Sequence, residues 1–224
     1  LPAYGERVCC EAYEVEKGID DPETLWKRRW FIHWVRFQYQ SGCRPHETAQ
    51  IRLGDYEVVK RKDGKVSGIL KISNTTKTGG REVAMNGSTL QKIKSHLTKG
   101  VRVRNMQIEN YNQRVLAGEV RDKKGNIIGT PLPLIPQPSK DDFLMMNPFF
   151  DGRNVYHMEH IRQWFNKVLL KCEFDRKYTL YSLRSTHISF ALLQGQRVNL
   201  VAKNCGTSLA MVQKTYDGLS SRFH

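Results

Sequence analysis

Two glycines punctuate the last quarter of the chain, and the apolar residues on either side of them keep helical spacing. From Tyr178 to Tyr216 the sequence reads YTLYSLRSTHISFALLQGQRVNLVAKNCGTSLAMVQKTY. Leu183, Ile188, Ala191 and Leu192 fall near one face of a first helix, with Ser182 as its expected N-cap and Gly195 as its stop. Val198, Leu200, Val201 and Ala202 begin a second, which Cys205-Gly206 ends, and a third is expected from about Ser208 to Tyr216. Three short helices joined by tight turns can bring Tyr216 back towards Arg184, which this reading puts in the first turn of the first helix. A guanidinium near a positive helix end adds a planar fork that can take two oxygens of one phosphate. A phenol folded against it is a candidate nucleophile.

The chain ahead of this stretch predicts an α+β fold, mainly α-helical. Asp20-Asp21-Pro22 is a helix-start signal, and Leu25, Trp26, Trp30, Ile32, Trp34, Val35, Phe37 and Tyr39 give a helix over about Glu23–Gln40, with its aromatics in the core. Ser41-Gly42 ends it. Arg44 then precedes a short helix that Pro45 can open and that carries Glu47, Ala49, Ile51 and Leu53. Taken alone, Arg44 and Glu47 read as a surface ion pair at i, i+3. From Tyr56 to Met85 the pattern turns extended: Tyr56–Val59 and Val66–Ile72 flank Asp63-Gly64, and Glu82–Met85 follows Gly79-Gly80. Two hairpins in a row predict a small three-stranded antiparallel sheet, with Lys77 beside the second turn. Ser88–Leu97 reads as a helix. Residues 100–140 fit helix or strand at first, then a Lys124-Gly125-Asn126 turn and an extended run enforced by Pro131, Pro133, Pro136 and Pro138; this stretch is taken as an insertion. A last helix before the C-terminal three is expected over Tyr156–Leu170, with Ile161, Phe165, Val168 and Leu169 inward.

Charge narrows the partner. There are 36 Lys and Arg against 22 Asp and Glu, a formal net charge of +14, and the basic residues are spread through the chain among Trp, Tyr and Phe. That pattern describes a folded basic surface meeting an acidic polymer. Cys9, Cys10, Cys43, Cys172 and Cys205 show no zinc-type spacing, and their odd number argues against a full disulfide framework, so reduced thiols in an intracellular setting are expected. No apolar run is long enough to span a membrane, and the first ten residues hold no signal-peptide core. Leu1 in place of Met suggests trimming from something longer.

The boxes together resemble the tyrosine recombinase (phage integrase) family. Its pattern is a His-x-x-Arg box, a later Gly-His or Gly-Trp, and a nucleophilic tyrosine nine residues after that His or Trp. Here the matching residues are Tyr181-Ser182-Leu183-Arg184, Gly206-Thr207 and Tyr216, nine residues beyond Thr207; Tyr181 and Thr207 depart from the family's residue types. The first box, Thr-Gly-x-Arg-x-x-Glu leading to Leu-x-x-Asp, is similar to Ser41-Gly42-Cys43-Arg44-Pro45-His46-Glu47 followed by Leu53-Gly54-Asp55. The family's hairpin lysine matches Lys77 in Lys77-Thr78.

The resemblance implies the tyrosine-recombinase catalytic fold over residues 1–224, with 1–22 a lead-in and without the N-terminal DNA-clamp domain of family members. It also implies Tyr216 as nucleophile in a 3′-phosphotyrosyl link to double-stranded DNA, Arg44 and Arg184 clamping the phosphate, Lys77 protonating the 5′-oxygen, and Glu47 in support. A phenol at Tyr181 can donate a hydrogen bond but, with a free pKa of about 10, is a poor base at neutral pH. The Thr207 hydroxyl donates with shorter reach. His187 is either a substitute for the missing imidazole or a packing histidine; His33 and His46 read as structural. No cofactor or metal is implied. The expected partners are DNA and further copies of the chain, as a tetramer on DNA, in a prokaryotic cytoplasm or nucleoid and not at a membrane. Alternatives are a type IB topoisomerase-like enzyme, a DNA-binding module with weakened cleavage, and a basic RNA-binding protein, the last leaving the spacing of Arg44, Lys77, Arg184 and Tyr216 unexplained.

Overall fold

A computed structural model of the chain describes residues 21–73, 80–150, 154–175 and 177–220, the side chains of 215–220 excepted. Helix α1 spans Pro22–Ser41 and starts as its sequence demands: the Asp21 carboxylate accepts from the backbone N–H groups of Glu23 and Thr24, and Pro22 occupies the first turn. It ends at Gly42, whose φ of 62° is left-handed. Trp26, Trp30, Trp34 and Phe37 are all buried, so the aromatics of this helix are core. Helix α2, Pro45–Gln50, follows at once. It is shorter than the apolar pattern suggests, and Ile51 and Leu53 pack from the chain beyond its end.

Strands β1 (Tyr56–Lys60), β2 (Val66–Ile72) and β3 (Arg81–Asn86) form an antiparallel sheet in the order β1-β2-β3. Leu70 of β2 lies opposite Tyr56 on one side and Val83 on the other, and Leu70, Ile72, Val83 and Met85 line its buried face. Helix α3 then runs unbroken over Gly87–Leu116. The second half of that run, which as sequence fits helix or strand, continues the same helix, with Gly100 inside it. A side chain at 100 would meet the Trp26 indole, so close packing on α1 explains a glycine there that costs helix propensity. Beyond α3 the chain turns at Gly125 and returns along the helix as an extended strap. Asn112 exchanges two hydrogen bonds with the backbone of Leu132, and Asn105 does the same with Ile135. Side-chain amides thus satisfy backbone groups that the prolines exclude from a sheet.

Helix α4 spans Met158–Lys171, two residues later than expected, and sets Ile161, Phe165 and Leu169 inward, while Trp164 meets Trp30, Phe31 and Tyr156 edge to face. The C-terminal three are α5 (Leu180–Leu193), α6 (Val198–Cys205) and α7 (Leu209–Ser220). Thr179, not Ser182, is the N-cap of α5; the Ser182 hydroxyl sits three residues inside and accepts from the Thr179 N–H. Arg184 therefore lies in the second turn. Helix α7 continues four residues beyond Tyr216, so that residue lies within a helix and not at its end. No described helix is long and apolar enough to cross a membrane. Cys43, Cys172 and Cys205 are free thiols; Cys9 and Cys10 lie outside the described residues.

Candidate functional site

The loop between α1 and α2 is pinned from below. Gln38, fully buried near the end of α1, donates to the Cys43 carbonyl and accepts from the Thr48 hydroxyl at 2.7 Å. That node fixes Arg44 at the start of α2. The Glu47 carboxylate closes the turn by accepting from the Arg44 N–H at 2.8 Å and from Arg44 Nη1 at 3.0 Å. The pair is the i, i+3 ion pair that spacing suggests, but Glu47 is only 5% exposed, so it is not a surface pair.

A second arginine explains how a carboxylate can be buried there. Arg81, the first residue of β3, sends Nη1 and Nη2 to the two Glu47 oxygens at 3.1 and 2.7 Å and Nε to the Asn204 carbonyl at 3.0 Å. Its side chain is 6% exposed. Arg44 reaches the same end of α6, with Nη2 on the Gly206 carbonyl at 2.8 Å. Burial by itself would raise the Glu47 pKa; the bonds from Arg81 and from the Arg44 backbone and side chain outweigh it and hold the carboxyl below its ordinary value. Burial likewise opposes charge on Arg81, and Glu47 more than restores it. Sequence reasoning passed over Arg81. Its signal was period two: 81, 83 and 85 share a strand face, and a cation on the same face as buried Val83 and Met85 needs a buried anion.

Arg184 comes in from α5. It is 1% exposed, donates from Nη1 to the Gly42 carbonyl at 2.7 Å, and its Nε is buried without a hydrogen-bond partner. An orphaned donor on a buried cation costs free energy that a bound anion would recover. Tyr181, one turn earlier, is 50% exposed, with its ring centroid 5.8 Å from the Arg184 guanidinium carbon. His187, one turn later, donates from Nδ1 to the Tyr39 carbonyl at 2.9 Å, and burial lowers its pKa and favours the neutral ring. Of the other histidines read as structural, His33 is half-buried and His46 is exposed.

Two glycines let these elements meet. A Cβ on Gly42 would lie 2.5 Å from the His187 ring and 2.9 Å from the Cys205 sulfur; one on Gly206 would lie 2.7 Å from the Arg81 guanidinium, and both have a φ of 62°. The neighbouring thiols stay protonated at neutral pH, since burial pushes Cys43 up to about 11 and raises Cys205 as well. Thr207 follows Gly206, its N–H closing α6 on the Ala202 carbonyl at 3.0 Å.

The fold thus gathers Arg44, Glu47, Arg81, Arg184, His187 and the Gly206-Thr207 turn around one locus. Tyr216 is on α7, which packs on α5 and α6; its side chain is outside the described residues, as is all of Lys77. The Arg44 and Arg184 guanidiniums, converging near a helix turn, can hold a phosphodiester, while the Arg81 nitrogens are taken up by Glu47 and Asn204. Among the described residues no cluster of three His, Cys, Asp or Glu could hold a metal ion.

No protein-family model matches the sequence, nor does any curated protein. Solved structures do. XerH site-specific recombinase, in its post-cleavage complex with a palindromic difH substrate, superposes over 98% of this chain and 50% of its own with a TM-score of 0.60 at 12% identity. XerA recombinase matches over 95% and 56% with a TM-score of 0.52 at 15% identity. The Tn1549 transposon integrase, in complex with circular intermediate DNA, matches over 96% and 60% with a TM-score of 0.51 at 14% identity. The chain therefore spans little more than half the length of these proteins, and the likeness is one of fold.

Proposed function

We propose that this chain, whose fold is that of tyrosine recombinase catalytic domains, cleaves and rejoins DNA through a 3′-phosphotyrosyl intermediate as a site-specific recombinase or integrase. The observation that carries the reading is convergence. Arg44 and Arg184, 140 residues apart in sequence, both bind backbone carbonyls beside the Gly42 and Gly206 turns. Tyr216 lies on the helix that follows the second of those turns.

In this reading the arginines neutralise the non-bridging oxygens, the Tyr216 oxygen attacks phosphorus as its phenol proton passes to solvent, and the 5′-oxygen leaves with a proton from Lys77, which solvent then reprotonates. The phosphodiester bond is exchanged for a phosphotyrosyl bond of similar energy, so religation by the 5′-hydroxyl restores the DNA and the phenol without ATP. Tyr181 and Thr207 donate hydrogen bonds to the phosphate where the family uses imidazole or indole, and His187 supports the site by tying α5 to α1. The partners are duplex DNA and further copies of the chain assembled on it, inside the cell. Arg184 is enclosed, so a phosphate reaches it only when the segments packed on it move apart. That enclosure is the observation favouring the second reading, a DNA-binding module with weakened cleavage.

Incubation with nicked suicide DNA substrates distinguishes the two. A covalent protein–DNA adduct on a denaturing gel, lost in Tyr216→Phe while duplex binding stays within about twofold of the starting protein, is the expected result. An adduct that persists in Tyr216→Phe refutes the nucleophile, and binding without any adduct favours the weakened module.

A further inference from the structure

All three guanidinium nitrogens of Arg81 donate within the site, and nothing in the proposed chemistry employs them. Its bonds reach two different elements, the carboxylate of α2 and the last turn of α6. Arg44 makes the same two connections from the other side of Glu47. One carboxylate is therefore held between two guanidiniums, and each guanidinium also takes a carbonyl from the C-terminal end of α6, Asn204 for Arg81 and Gly206 for Arg44. Those carbonyls have no partner inside the helix and carry the negative end of its dipole. The planar fork fits Gly206, where a Cβ would strike it.

The geometry points to Arg81 as a positioning residue: through Glu47 it sets Arg44, and through Asn204 it sets the Gly206-Thr207 turn from which the Tyr216 helix departs. Arg81 touches no reacting atom. It ties the end of the β2-β3 hairpin, the first arginine and the tyrosine segment into one frame, so that the relative position of phosphate clamp and nucleophile depends on a single planar group. A lysine preserves the charge but cannot reach two carboxylate oxygens and a carbonyl at once.

The effect on catalysis rests on the function proposed above; the effect on the turn does not, and the experiment reads both. Arg81→Ala and Arg81→Lys are compared with the starting protein for duplex affinity, single-turnover adduct formation, and amide hydrogen exchange at Gly206 and Thr207. Loss of frame should slow adduct formation by about 10²-fold, the effect of a displacement of about 1 Å, with duplex affinity within about threefold. Guanidinium ion at millimolar concentration should restore part of the rate to Arg81→Ala, and methylammonium should not. Exchange at Gly206 and Thr207 should speed up by at least tenfold in both variants, while the Leu70 and Val83 amides in the sheet keep their protection. If Arg81→Ala does not fold, Arg81→Lys carries both readouts.

An unchanged adduct rate in a protein that forms adducts overturns the inference. So does a parallel loss of affinity and rate, which would make Arg81 a DNA contact. If the starting protein forms no adduct, the functional reading fails and the exchange measurement decides alone: unchanged exchange at Gly206 and Thr207 then refutes the positioning role.

Discussion

The body of the molecule and its C-terminal three helices are held by different forces. In the body, Trp26, Trp30, Trp34, Phe31, Phe37, Tyr156 and Phe165 join the inner face of the sheet and α3 in one apolar cluster. The C-terminal cluster is Ile188, Ala191, Val201, Ala202, Cys205 and Val212, with no aromatic member among the described residues. Leu180 and Leu183 of α5 reach into the body's apolar cluster, but the contacts that dock the small unit at the site are polar: Arg184 on Gly42, Arg44 on Gly206, Arg81 on Asn204, and His187 on Tyr39. Area removed from water is non-directional and makes the body stable. Guanidinium–carbonyl bonds have narrow geometry, and they set where the Tyr216 helix sits without gluing it down.

Trp34→Ala is the most severe way to break this comparison. It opens a cavity in the centre of the body and should cost about 3–5 kcal/mol, read as a fall in the urea midpoint followed by tryptophan fluorescence. Trp26, Trp30, Trp34 and Trp164 all belong to the body, so the remaining three still report on it alone.

Glu47→Gln attacks the polar docking instead. It leaves two guanidiniums facing a neutral amide and should cost about 3 kcal/mol, at the low end for a buried pair because Arg44 is 24% exposed. Hydrogen exchange at Gly206 and Thr207 should rise more than exchange in the sheet. Equal rises in both places would show that body and C-terminal unit open as one and would erase the distinction.

Acid separates the two regions more gently. His33 and His96 lie in the body near Arg29, Arg36, Lys92 and Lys99, and their pKa values are lowered to about 3 and about 4, chiefly by burial. Their folded values lie below the unfolded one, so the unfolded chain binds the extra protons and stability falls with pH from about 6.5 downwards. By pH 5.5 each imidazole removes on the order of 1 kcal/mol. The Glu47 contribution has the other window: complete above the carboxylate's ordinary value and lost only as pH falls below it. His187 at the docking site also has its value lowered by burial, so its tie to Tyr39 weakens in the same window. Denaturation at pH 7 and 5.5 should therefore show a weaker body and a loosened α5, with exchange at Gly206 and Thr207, held through Glu47, unchanged. Loosening of that turn already at pH 5.5 would assign the docking to a group other than Glu47.

Much of the architecture was legible because each element carries a local cause. Asp21-Pro22 starts α1, Gly42, Gly195 and Gly206 stop helices, and alternation from Tyr56 to Met85 yields the three strands at nearly their observed bounds. What escaped has non-local causes. The continuity of α3 through Gly100 depends on an indole from another helix, and the Thr179 cap on Ser182 competing from inside the first turn. For the site, Arg44, Glu47 and Arg184 could be named from motif spacing, but the depth at which they lie could not. Arg81 was visible only as a charge on a buried strand face.

The amino-acid sequence alone determined the helix boundaries set by caps and glycines, the antiparallel sheet, the basic charge and the spacing of Arg44, Arg184 and Tyr216. These depend on neighbours within a few residues, where backbone sterics and periodicity act. Only the tertiary structure decided that Glu47 is shared by two arginines, that Arg184 is enclosed, and that the turn before the Tyr216 helix is gripped by two guanidiniums. Those contacts join residues up to 162 positions apart, and no local propensity encodes which buried carboxylate a distant cation will meet.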